Sequence, residues 1–176
     1  MKILFLTFIA FLAVSLSPLS AQAEGELSIT EIRDKYFQMK PQEIGLSKDS
    51  FQHPVWGIIM ETGFADGHFT LITLADGTTS LHFSTGGGIL GGGAHESVRQ
   101  FAGRYLLGAQ YFVAKASKVD DYPVPPDGQV TFSFLTFDGV SQISAPEKNM
   151  GVGEHEYANL FYAAHELMHE LSKFEE

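Results

Sequence analysis

Near the end of the chain, residues 165–169 read His-Glu-Leu-Met-His. On a helix, His165 and His169 stand one turn apart, with Glu166 between them in sequence. Zinc hydrolases use this spacing: the imidazoles ligate the metal and the glutamate is general base to a bound water. A catalytic zinc needs a third protein ligand. The extended motif wants glycine at position 172 and histidine at 175, where this chain has Ser172 and Glu175. The remaining candidates are Glu175 itself, His155, His95 and His82. A helical wheel at about 100° per residue centres the apolar stripe between Leu160 and Phe161. His165 falls on its flank, His169 further round and Glu166 nearly opposite. A solvated helix face reads the same way, with Glu166, Glu170, Glu175, Glu176 and Lys173 as its charged exterior. A zinc hydrolase with ligands His165 and His169 and base Glu166 is thus the alternative reading, not the leading one.

The second constellation is Ser84 to Ser97, STGGGILGGGAHES. Its six glycines are Gly86, Gly87, Gly88, Gly91, Gly92 and Gly93. A glycine-rich turn between strand and helix can offer backbone N–H groups and the helix dipole to an anion. No Gly-Lys-Ser/Thr follows, so this is not a P-loop. A G-x-G-x-x-G can be laid on Gly86, Gly88 and Gly91, but the βαβ unit that fingerprint needs is missing. The plain structural reading is a tight connection whose glycines take positive φ or let backbones approach. His95 and Glu96 open the next helix. The glutamate complements the dipole, and His95 is expected neutral there. The binding candidates are Ser84, Thr85, the six glycines, His95 and, from a later Gly-x-Gly-x-His turn, His155.

These residues need elements to hold them. Ser28-x-x-Glu31 is a capping box, and Ile29, Ile32, Tyr36 and Met39 continue at helical spacing until Pro41. Val55 to Glu61 is an apolar strand. Residues 68–74 and 78–83 form a hairpin around Asp76-Gly77. In the second of these strands Ser80 and His82 alternate with Leu81 and Phe83, so one face is wet or lines a site. An amphipathic helix covers about 94–116, with Val98, Phe101, Ala102, Tyr105, Leu106, Ala109, Phe112 and Val113 on one side. Residues 129–137 and 140–144 make a second hairpin around Asp138-Gly139. The last helix runs from about 154 to 174. Hairpins in place of βαβ units predict a single α+β domain: a mainly antiparallel sheet of about five strands, with the amphipathic helices on one face.

The first 23 residues stand apart. Lys2 precedes an apolar run from Ile3 to Leu16, Ser17-Pro18 breaks it, and Ala21-Gln22-Ala23 fits a cleavage site. The pattern is a secretory signal peptide cleaved after Ala23, leaving residues 24–176 as the domain. No Cys occurs in the chain, which excludes disulfides, a lipid attachment point of the bacterial lipoprotein kind and Cys-ligated metals. The formal charge is −10, and losing Lys2 makes it −11. Such acidity speaks against nucleic-acid partners, which demand clustered Lys and Arg. No further apolar run of 18 residues predicts membrane insertion after cleavage. The expected protein is exported, periplasmic or extracellular.

From Val55 onward the chain resembles a bacterial domain family to which no activity is assigned. The likeness rests on Val55-Trp56-Gly57 with Met60-Glu61-Thr62-Gly63, and on ADGTTSLHFSTGGGILGGGAHESVR from Ala75 to Arg99. Leu135 to Val140 and the Gly151, Gly153, His155 turn also carry it. The resemblance implies no catalytic residue and no obligatory His-Glu-x-x-His. It implies that the loops at 84–97 and 151–155 approach one another. The leading expectation is an exported, non-catalytic binding module without a cofactor. Inhibitor and immunity proteins are possible forms of it, and a protein or a small anionic ligand would bind across the glycine loop.

Overall fold

The computed structural model describes residues 28–174; the expected signal peptide with its cleavage site at Ala23 lies outside them, as do Glu175 and Glu176. The described residues form seven strands and four α-helices, an α+β fold. The helices are α1 (Ile29–Gln38), α2 (Glu96–Phe112), α3 (Glu147–Gly151) and α4 (Ala158–Leu171). The strands are β1 (Val55–Phe64), β2 (Gly67–Leu74), β3 (Thr79–Phe83), β4 (Gly88–Ile89), β5 (Ser117–Val119), β6 (Gln129–Thr136) and β7 (Gly139–Pro146). All join one antiparallel sheet in the order β4-β3-β2-β1-β6-β7-β5. The two strands beyond the expected five are β4 and β5, of two and three residues, too short to show alternation. Both stand at the edges, where short strands blunt the exposed ladder.

The helices do not share one face, contrary to the sequence reading. α2 and α4 pack on one side of the sheet, over Ile58, Met60, Leu71, Phe132 and Phe134. The expected stripe of α2 is there: Val98, Ala102, Tyr105, Ala109 and Phe112 are buried. Each large side chain sealed this way stabilises the fold by about 1.5–3 kcal/mol. α1 lies on the opposite side, over Trp56, Ile59, Ile72, Leu74 and Leu135. The physical reason is that β1 is apolar on both faces, so one helical layer leaves the other face wet. A bulge between Val55 and Gly57 puts Val55 and Ile58 on the α2 side with Trp56 opposite them.

Local signals act as read. Ser28 N donates to Glu31 Oε2 at 2.8 Å, and Glu31 N donates to Ser28 Oγ at 3.3 Å. The capping box therefore closes. Both Asp-Gly pairs turn hairpins. β1 runs past Glu61 to Phe64, so that glutamate sits inside a strand instead of ending it.

Candidate functional site

On the α1 side a polar row crosses the sheet. Thr131, Glu61, Thr70 and His82 are laterally paired on β6, β1, β2 and β3, and all four are buried. Glu61 is fully sealed, at 0% exposure. Arg33 of α1 donates from Nε to Glu61 Oε1 at 2.6 Å and from Nη2 to Oε2 at 2.9 Å. Thr70 Oγ1 donates to Oε1 at 3.1 Å. Arg33 Nη2 also donates to the Tyr122 carbonyl, and its guanidinium lies 4.6 Å from the Phe37 ring centre. Phe37 stacks on Tyr122 at 4.4 Å. A buried charge is tolerated only when paired and hydrogen-bonded in this manner.

His82 lies one place along the row, at 5% exposure. Its Nε2 is 2.9 Å from Ser80 Oγ, while Nδ1 has no hydrogen-bond partner among the described residues. Burial lowers the imidazole below its ordinary range, which keeps the ring neutral. Tyr36 of α1 reaches Ser80; burial and the Asp76 charge push its phenol up, against the pull of that hydrogen bond. On β2, His68 N donates to Ser84 Oγ at 2.8 Å and Ser84 N to His68 O at 2.9 Å.

The glycine run is not a strand-to-helix turn. Its first half is a β-hairpin: Gly86 N donates to Phe83 O at 2.9 Å and Phe83 N to Gly87 O at 3.1 Å. Gly86 and Gly87 sit at φ 105° and 79°, where a side chain is strained. Gly88 then opens β4, and Gly91 turns out of it. Gly92 and Gly93 form a short 3-10 turn with Ala94. A Cβ on Gly93 would stand 2.1 Å from Gly77 O. The sequence reading missed β4, which separates the hairpin glycines from α2.

The helix N-termini are already provided for. Glu31 closes α1. At α2, Glu96 lies in the first turn, and Glu170 is held below its usual range by Lys173 and then by the Ser97 hydroxyl. Glu170 is buried, not part of the exterior. His95 is the α2 N-cap residue and stacks on Phe174 with ring centres 3.6 Å apart.

The hairpin and α1 enclose an open groove of about 750 Å³. Ser84, Thr85, Gly86, Gly87 and Gly88 form one wall, and Ser28, Ile29 and Ile32 the other. Phe83, Leu90 and the buried His82 complete it. Among the described residues no Lys, Arg, Asp or Glu lines it. A smaller depression continues along α1 past Tyr36, Ser80, Gly91 and Gly93.

His155 is elsewhere. Its Nδ1 accepts from Tyr157 N at 3.3 Å, and Tyr157 meets Phe112 at the far end of α2. Seventeen residues of helix, about 25 Å at 1.5 Å each, separate that turn from His95. The expected approach of the 84–97 and 151–155 loops does not occur.

On α4, His165 packs against Phe161 at 4.1 Å between ring centres, and its Nε2 is buried without a partner. Burial lowers its basicity. His169 and Glu166 are exposed. Among the described residues no group of three His, Asp or Glu is arranged to hold a metal ion. Ser80 and His82 stand at the distance of a nucleophile and its base. Among the described residues the imidazole has no carboxylate to orient it, because the one acid of the row gives its oxygens to Arg33 and Thr70. No helix of the described residues is long and apolar enough to cross a membrane.

No family model, no curated protein and no solved structure matches this chain, so the resemblance described above rests on its motifs alone.

Proposed function

We propose that the chain is an exported, non-catalytic binding module whose ligand lies in the groove between α1 and the Ser84–Gly88 hairpin. The observation that carries this reading is His82: a buried imidazole in the groove lining, with one nitrogen engaged by Ser80 and the other without a partner among the described residues. Of the two ligand classes anticipated, a small anion is the less favoured, since no cation lines the groove among the described residues. Both helix N-termini also have carboxylates of the chain beside them. The favoured ligand presents apolar surface to Ile29, Ile32 and Leu90. Leu90 is 69% exposed, a large apolar side chain left at the lip of a groove. An inhibitor role is one form of such a module. Zinc chemistry at His165 and His169 has no supporting geometry among the described residues.

Native mass spectrometry of the full chain recovered from the exported fraction tests this. The expected result is loss of residues 1–23 and a bound species that Leu90→Asp releases. An unprocessed chain, or one whose bound species is indifferent to Leu90→Asp, would overturn it.

A further inference from the structure

We infer that the groove takes an uncharged amphiphile, an alkyl or acyl chain ending in a hydroxyl or amide head, with the head hydrogen-bonded to His82. This rests on the groove being the binding surface and adds the chemistry of what it binds. The chain-binding part is the apolar stripe of α1, Ile29 and Ile32, facing Leu90 across the hairpin; the Phe83 side chain packs into the opposite, α2–α4 layer. Its volume of about 750 Å³ lies within the range of small-molecule sites, which are mostly apolar with a few placed polar groups. The head-binding part is Nδ1 of His82.

Three observations select an uncharged head. His82 is nine-tenths buried and its second nitrogen is tied to Ser80, so the ring has one hydrogen bond to give or to take. A hydroxyl or an amide serves either tautomer. Among the described residues no ionisable group other than His82 lines the groove, so a carboxylate or ammonium head would lose its hydration without gaining a counter-charge there. The nearest opposite charges in the row, Arg33 and Glu61, already satisfy each other. Hydrophobic burial with one satisfied polar contact is then the cheapest complex the walls allow.

Four probes share one body and differ only in the head: decanol, decanamide, decanoate and decylamine. Calorimetric titration into the full chain is expected to show decanol and decanamide binding, and the charged pair weaker by on the order of tenfold or more. His82→Phe is expected to erase the advantage of the uncharged heads, and His82→Gln, which keeps a hydrogen-bonding tip, to retain part of it. Leu90→Asp is expected to weaken all four. Far-UV circular dichroism checks that each variant is folded. Decanoate or decylamine binding as tightly as decanol, or an uncharged preference that survives His82→Phe, would overturn the head-group inference. So would the failure of all four to bind. If Leu90→Asp still weakens the probes in the first two cases, the groove reading stands while its ligand chemistry falls. Probes that bind indifferently to both Leu90→Asp and His82→Phe would sink the groove itself.

Discussion

Arg33 and Glu61 meet as a two-pronged pair, Nε to Oε1 at 2.6 Å and Nη2 to Oε2 at 2.9 Å, in the space between α1 and the central strand. They are separated by 28 positions in sequence, and they fix the helix that forms one wall of the groove.

Removing one partner leaves the other charge buried. Arg33→Met or Glu61→Leu alone should destabilise the fold by about 3–5 kcal/mol. The double variant Arg33→Met/Glu61→Leu should recover most of that loss, because apolar replacement of a whole buried pair is often neutral or better. Urea unfolding of the three variants measures it. Additive losses in the double variant would contradict the pairing.

Three histidines predict the response to acid. Burial lowers His82 and His165. His68 is lowered first by burial, with Glu61 raising and Arg33 lowering it. Their unfolded values lie near 6.5, above their folded ones. Below that pH the unfolded chain binds more protons, so stability falls with acidification and is flat above it. Melting temperatures from pH 8 to pH 5 should show the decline, and His165→Phe should make it shallower, leaving the part due to His68 and His82.

His165→Phe has a second expected effect. It removes a sealed, unpartnered nitrogen beside Phe161, and should raise stability by about 1 kcal/mol. Metal analysis of the full chain before and after the substitution should give the same zinc content. Stoichiometric zinc lost in the variant would restore the hydrolase reading.

Glycine substitutions should split by position. Gly93→Ala drives a Cβ to 2.1 Å from Gly77 O, and should cost about 1–3 kcal/mol. Gly103→Ala lies within α2 with open space around the new carbon, and should gain about 0.5–1 kcal/mol. Thermal unfolding of the two proteins distinguishes them.

The legible parts of the fold were those with local causes. Ser28 and Glu31 announce α1, Asp76-Gly77 and Asp138-Gly139 announce hairpins, and the 3-4 spacing from Val98 to Phe112 announces α2. Ser80 and His82 were visible as the polar half of an alternating strand. The role of Glu61 was not, because a lone acid after VWGIIM reads as a strand end, and its partner lies on another element. β4 was hidden for a different reason. Gly88 and Ile89 carry no alternation, and only pairing with Leu81 and His82 makes them a strand. The separation of His155 from the glycine hairpin depends on the length of α2 and the path of the chain around it, which no motif encodes.

Trp56 is the chain's single tryptophan, 2% exposed, in the layer beneath α1. The α2–α4 layer across the sheet has tyrosines but no indole. Intrinsic emission is therefore a one-sided optical gauge, reporting the α1 layer, whereas far-UV ellipticity is dominated by α2 and α4. Coincident unfolding curves from the two signals would mean that both layers melt as one cooperative unit. An earlier fluorescence transition would identify α1 and its groove as a separate, weaker folding unit, able to open while the rest of the sheet stays intact.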